Sequence, residues 1–220
     1  LLAGLTTAIG AALDRQRPQA VVVQGDTASA MAGAMAAFHR QIPVAHVEAG
    51  LRSGDITRPW PEEGYRRMIA RLAHWHFAPT AAAANALVAE GVPADSVETV
   101  GNTVIDALYW ALSCLDRDER LSHEALPLVE RASKRPIVLA TVHRRETGAD
   151  ELAAIAEGFR ALVAREKVEL IVPLHPRAEN AVLRDLLARL PRVQIVEPLN
   201  YFAFVRLMRE SRLIISDSGG

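Results

Sequence analysis

The chain has 220 residues, half of them apolar, and carries 25 Lys plus Arg against 26 Asp plus Glu for a net charge of -1. That supplies enough apolar surface for one large core or two small ones. The near-neutral balance argues against nucleic acid and anionic membrane surfaces as partners, since both demand a basic excess. The single cysteine, Cys114 in "ALYWALSCL", cannot form an intrachain disulfide and reads as a packed thiol, which suits a reducing cytoplasm. No apolar run approaches the ~20 residues of a membrane span.

In chain order, "LLAGLTTAIGAALDRQR" has helical spacing, and "AVVVQGD" is a β-branched strand ending in a Gly-Asp loop. The Ala-rich "TASAMAGAMAAFHR" is helical, and "IPVAHV" is a second strand. "PEEGYRRMIARLAHW" opens with Pro and two acids, as helix N-termini do, and places Tyr65, Met68, Ile69 and Leu72 on one face. "HFAPT" is a strand and turn, "AAAANALVAEG" a helix closed by Gly91, and "VETVGN" a strand. The alternation restarts beyond a polar connection. There "IVLATV", "VELIVPLHP", "VQIVEPL" and "LIISDSGG" are strands, separated by the helices "ELAAIAEGFRALVARE", "ENAVLRDLLARL" and "YFAFVRLMRE". Strands are expected at about 20–25, 42–47, 75–78, 97–100, 136–142, 168–173, 193–197 and 212–216, all parallel within two separate sheets covered on both faces. The fold class is therefore α/β, with two Rossmann-like domains. The hinge is placed between Gly101 and Pro136, and the domains at about 1–115 and 116–220. The chain begins without Met and ends on "DSGG" directly after an apolar run, so both ends read as truncated.

In open parallel sheets, ligands sit beyond the carboxyl ends of the strands. The loops there are "QGDTAS", "VEAGLRSGDITRPWPEE", "TVGNT", "TVHRRETGA", "PLHPRAEN", "EPLNY" and "SDSGG", and a cleft between two domains presenting such loops is the expected site. They suggest an anionic ligand. Ser218, Gly219 and Gly220 offer a hydroxyl and backbone N–H groups before an expected helix, which favours a phosphate. His143, Arg144 and Arg145 offer an imidazole and two guanidiniums for phosphate oxygens. A plain turn and a solvated charged face are the alternatives for these two motifs taken singly.

The stretch from His46 to Glu63 holds four carboxylates. Asp26, in the loop before it, could cap the helix beginning at Thr27. Glu62 sits in a helix first turn, where it could pair with Arg66, and Glu63 fits that description equally well. Glu48 follows an apolar strand directly and has no obvious structural role. His46 and His74 read as strand-end and helix-surface residues. No Cys/His cluster has metal-ligand spacing, so no metal is expected.

Taken together, "VVVQGDTASAMAGAMAAFHRQIPVAHVEAGLRSGD", "RPWPEEGYRR", "GNTVIDAL", "TVHRRE", "PLHP" and "ISDSGG", in that order, closely resemble the non-hydrolysing bacterial UDP-N-acetylglucosamine 2-epimerases. The resemblance runs from about Ala20 to Gly220. It implies a glycosyltransferase-B-type architecture with the nucleotide sugar in an interdomain cleft. It further implies interconversion of UDP-N-acetylglucosamine and UDP-N-acetylmannosamine, by elimination of UDP and its re-addition with the opposite configuration at carbon 2. No redox cofactor is needed. The full-length protein is implied to be a cytoplasmic homodimer. Alignment with the family picks Asp26, Glu48 and Glu62 as the acids and His143 as the histidine near the diphosphate. Carboxylates in a partly dry cleft suit such proton chemistry. Family members also contact a second, regulatory UDP-N-acetylglucosamine through "HRRE" and the motif containing His175. Here "PRAEN" follows that histidine, where the family more often has an Asn. The family's amino-terminal "GTRPE"-like motif and the ribose-gripping glutamates after "DSGG" are not in this chain, which implies a piece that would not act alone. A glycosyltransferase of the same architecture would not need "HVEAGLRSGD…PWPEE". A hydrolysing epimerase has a different sequence there, and a non-catalytic sugar-nucleotide binder would lack the three acids.

Overall fold

A computed structural model describes residues 1–132, 135–142, 148–175 and 181–217. The chain divides into two compact units, Leu1–Asp106 and Ala107–Gly220. Each unit is an α/β layer structure around a four-stranded, wholly parallel sheet.

The first sheet is built from β1 (Val21–Gln24), β2 (Val44–Val47), β3 (Trp75–Ala78) and β4 (Val97–Thr99), side by side in chain order. Between them run α2 (Ala28–Phe38), α3 (Glu62–Leu72) and α4 (Ala81–Ala89), and α1 (Leu2–Gln16) precedes β1. The alanines of α2 let helices and sheet approach closely, and Met31, Ala34 and Ala37 pack with Val23, Val44 and Ile69. The expected apolar face of α3 forms only in part. Tyr65, Ile69 and Leu72 join this core, but Met68 is 45% exposed. At the end of β2, Ala49 packs with Ala70, Leu87 and Val92.

The second sheet has the order β7-β6-β5-β8, from β5 (Ile137–Thr141), β6 (Glu169–Pro173), β7 (Val193–Val196) and β8 (Ser211–Ser216). Its central strands show the two-residue period of a sheet covered on both sides. Val138, Ala140, Leu170 and Val172 face α7 (Ala149–Arg165) and α8 (Ala181–Leu187). Ile137, Leu139 and Ile171 instead meet α6 (Leu126–Ala132) and α9 (Tyr201–Glu210). Helix α5 (Thr103–Arg117) spans the boundary of the units, and its Leu108, Ala111 and Leu115 pack with Phe202 and Val205 of α9.

All eight expected strands are present, parallel, and within two residues of the positions anticipated. The polar connection before β5 is a correction: it contains a 3₁₀ turn over Glu119–Ser122 and the helix α6. Seven residues with a proline among them give little periodic signal, yet proline is tolerated in a helix's first turn. Tertiary burial of Leu128, Val129 and Ala132 supplies the stability that propensity does not.

Gly50 shows how tightly the loop after β2 is held. It has φ +89°, and a methyl group there would lie 2.2 Å from the carbonyl oxygen of Ala83. Gly50→Ala should therefore lower the unfolding free energy by on the order of 2 kcal/mol or more, measured by urea denaturation. A loss under about 0.5 kcal/mol would show that α4 gives way freely.

Candidate active site

In the first unit, parallel pairing puts the carboxyl ends of all four strands at one edge of the sheet. There the apolar strands give way to the Gly25–Asp26 turn after β1 and to Glu48 after β2. The ladder continues into both loops, since Gly25 N–H donates to Val47 O at 3.0 Å and Ala49 N–H donates to Phe77 O at 3.0 Å. Glu48 lies between these two fixed points with φ +66°, a left-handed conformation costing a side-chain-bearing residue roughly 1–2 kcal/mol. Such strain is retained where its surroundings impose it and often marks a working residue. The Glu48 carboxylate reaches over Gly25, with Oε2 only 3.5 Å from where a Cβ on that glycine would stand. Gly25, at φ +69°, thus admits both the turn and the acid above it.

Asp26 does not cap α2. The cap is Thr27, whose hydroxyl accepts from Ala30 N–H at 3.2 Å. The Asp26 carboxylate is instead paired through Oδ2 with Nη2 of Arg66 on α3. Nor does Arg66 pair with Glu62, as the spacing had suggested. Its second nitrogen, Nη1, lies 3.4 Å from Oε2 of Glu63. Glu63 is fully buried, and takes Arg67 Nε and Nη2 at 2.8 and 2.7 Å and the Ser53 N–H at 3.1 Å.

The four carboxylates of His46–Glu63 therefore sort into two classes. Asp55 folds its own loop, accepting from Thr57 Oγ1 at 2.7 Å and Thr57 N–H at 2.9 Å, and the hydroxyl bond holds its pKa below the usual range. Glu63 is the buried anchor. Glu48 and Glu62 are half-buried and have no hydrogen-bond or ion-pair partner among the described residues. The preceding loop is clamped by Arg52, which forks onto Glu90 through two charge-assisted hydrogen bonds of 2.7 and 2.8 Å. Burial opposes ionisation of Glu90, but the Arg52 bond outweighs it and lowers its pKa. At the far side, Gln24 Nε2 donates to Thr103 Oγ1 at 3.4 Å, linking the end of β1 to the start of α5.

His46 is a feature that strand-end placement alone did not reveal. It is fully buried, and its Nε2 lies 2.9 Å from Gly25 O. A carbonyl only accepts, so Nε2 carries the hydrogen and the ring supports the Gly25–Asp26 turn from below. On β3, His76 stands directly opposite His46 and is 2% exposed. Burial is the first cause lowering the pKa of both rings, and the value for His76 falls to about 4. Among the described residues there is no cluster of three or more His, Cys, Asp or Glu able to hold a metal. Nor is any described helix long and apolar enough to cross a membrane. In the second unit, His175 is exposed just beyond β6. His143, Arg144, Arg145, Ser218, Gly219 and Gly220 lie outside the described residues.

A ring kept neutral in the fold but free to protonate when unfolded makes stability pH-dependent. The folded pKa of His76 is depressed, so the unfolded state binds the extra proton. Its contribution is complete above about pH 6.5 and is lost as pH falls toward about 4. The urea midpoint should drop between about pH 7 and about pH 4.5, and His76→Phe should flatten that drop. An identical drop in the variant would assign the pH dependence elsewhere.

The family model described as UDP-N-acetylglucosamine 2-epimerase matches residues 1–220. The UDP-N-acetylglucosamine 2-epimerase of Neisseria meningitidis serogroup A is 39% identical over 213 residues, covering 94% of this chain and 56% of that protein. A crystal structure of the UDP-GlcNAc 2-epimerase from Neisseria meningitidis bound to UDP-GlcNAc matches with a TM-score of 0.91 at 36% identity, over 99% of this chain and 59% of that one. The Methanocaldococcus jannaschii UDP-GlcNAc 2-epimerase in complex with UDP-GlcNAc and UDP matches with a TM-score of 0.84 at 33% identity, over 99% of this chain and 60% of that one. The α/β class with two Rossmann-like sheets, implied by resemblance to be glycosyltransferase-B-type, agrees with these neighbours. The chain spans less than two thirds of the length of these relatives. With the family model matched from end to end, the chain belongs to the UDP-N-acetylglucosamine 2-epimerase family.

Proposed function

We propose that the complete gene product carrying this chain interconverts UDP-N-acetylglucosamine and UDP-N-acetylmannosamine without net hydrolysis. The observation that carries this reading is Glu48: a carboxylate without a partner among the described residues, on a left-handed backbone beside the Gly25–Asp26 turn. A carboxylate so placed is suited to proton transfer at a carbon next to a breaking bond.

In the forward half, a carboxylate takes the proton from carbon 2. The electron pair of that C–H bond forms the carbon 1–carbon 2 double bond, and the bond from carbon 1 to the diphosphate oxygen breaks. UDP departs with that electron pair, leaving 2-acetamidoglucal. In the return half, the diphosphate oxygen bonds to carbon 1 and carbon 2 receives a proton on the opposite face. Two proton-bearing groups on different elements serve that inversion better than one. Asp26 and Glu48 follow neighbouring strands, and Glu62 begins α3 one turn before Arg66. The family assigns His143 to the neighbourhood of the diphosphate, and Arg144, Arg145, Ser218, Gly219 and Gly220 to binding the substrate. We further assign to the complete protein a cytoplasmic location, a homodimeric state and a regulatory second UDP-N-acetylglucosamine contacted through His175.

The test uses the complete gene product and proton NMR in deuterated water. Wild type should place deuterium on carbon 2 and equilibrate the two UDP-sugars. Asp26→Asn, Glu48→Gln and Glu62→Gln should each lower turnover by roughly 100-fold or more, with exchange and epimerisation falling together. Release of free N-acetylmannosamine with UDP would identify a hydrolysing enzyme instead. Wild-type rates in all three variants would reduce these acids to structural ion partners.

A further inference from the structure

Glu63 is the acid beside the one that family alignment selects, and it is the more deeply built of the two. Each of its oxygens has a separate task. Oε1 takes the fork of Arg67, while Oε2 takes the Ser53 N–H and lies 3.4 Å from Arg66 Nη1. A fully buried carboxylate must be paired, and here two guanidiniums and a backbone donor satisfy it. The other guanidinium nitrogen of Arg66, Nη2, goes to Asp26. Asp26, Arg66, Glu63 and Arg67 thus form a row of alternating charge, two of each sign, ending at an acid of the proposed reaction.

We propose that Glu63 is a positioning residue for the epimerisation assigned above, acting through Arg66 on the carboxylate of Asp26. The inference rests on that assignment. A long arginine held only by Asp26 would keep much of its rotamer freedom, and Asp26 would move with it. The guanidinium is planar, with its nitrogens in fixed relation, so anchoring Nη1 on Glu63 sets where Nη2 lies. The anchor is itself fixed in α3 and in the loop that begins at Ser53. Asp26 therefore meets the substrate with its orientation already set, and small displacements of a reacting group can cost about 100-fold in rate. Glu62, on the same helix turn, has no part in this row.

The test uses the complete gene product. Glu63→Gln keeps the shape and can still accept from Ser53, but loses the charge that holds Arg66. It should lower kcat by about tenfold or more while changing KM by less than about threefold. Arg67→Gln removes a partner of the same carboxylate at Oε1, the oxygen opposite the one near Arg66. It should lower the thermal midpoint and cost less in kcat than Glu63→Gln, because Arg66 keeps its charged anchor. The deciding comparison is non-additivity: Asp26→Asn combined with Glu63→Gln should be no slower than Asp26→Asn alone. If Glu63→Gln does not fold, Glu63→Asp retains the charge at shorter reach and takes its place in the same comparison. A folded Glu63 variant with wild-type kcat, a double variant in which the two losses multiply, or an Arg67→Gln loss equal to that of Glu63→Gln would each overturn the proposal. A wild-type protein that never exchanges carbon 2 with solvent removes the epimerase assignment and this inference with it. Exchange in wild type alongside wild-type kcat in Glu63→Gln removes this inference alone.

Discussion

A parallel sheet covered on both faces leaves its chain few places to be polar. Backbone groups along the strands are used by the ladder, and side chains on either face are buried under helices. Polar continuations must leave at strand ends, and in a parallel sheet every carboxyl end lies along one edge. The first unit obeys this constraint throughout. Gly25, Asp26 and Glu48 all follow directly on the last ladder residues of β1 and β2. Their neighbourhood is a consequence of strand direction, before any side chain is chosen.

Within that edge, a single buried charge organises the rest. Glu63 cannot be taken from water without partners, because an isolated carboxylate in an apolar setting is costly by many kcal/mol. Satisfying it draws in Arg66 and Arg67 from its own helix and Ser53 from the preceding loop. That sets the seating of α3 against the strand ends and brings Arg66 to Asp26. The start of the loop between Arg52 and Pro61 is then held twice, at Arg52 by Glu90 at the end of α4 and at Ser53 by Glu63 on α3. Of the four carboxylates between His46 and Glu63, Asp55 and Glu63 are engaged in this way, and Glu48 and Glu62 have no partner among the described residues.

Backbone strain and buried imidazole support the same corner. Glu48 takes up a conformation that a side chain disfavours, while ladder bonds on either side keep it there. Below it, His46 gives its one ring hydrogen to Gly25, and burial keeps the ring neutral so that it remains a donor of fixed tautomer. The turn that carries Asp26 is thus held from beneath by His46 and from the side by Arg66. Rigid support of this kind is what a site needs if its acids are to meet a substrate in one orientation.

Much of the fold could be read from the residues. Strand positions followed from β-branched runs, helices from their apolar period, and parallel pairing from their alternation. These signals are local, and burial on both faces reinforces them. Helix α6 escaped because its seven residues are stabilised by packing with the following strand β5 and with Leu207 of α9, far along the chain. Motif order led to the family, and strand ends led to the acids. Which partner each acid meets was decided only in three dimensions. Glu62 and Glu63 are chemically identical neighbours, but a step of one residue turns a helix by about 100°. One therefore points into the protein and the other stays half-buried. Asp26 likewise has the composition of a helix cap, yet Thr27 takes that position and Arg66, forty residues on, takes the carboxylate. Residue type sets which partners a charge can accept; the packing of α3 on the sheet determines which it meets.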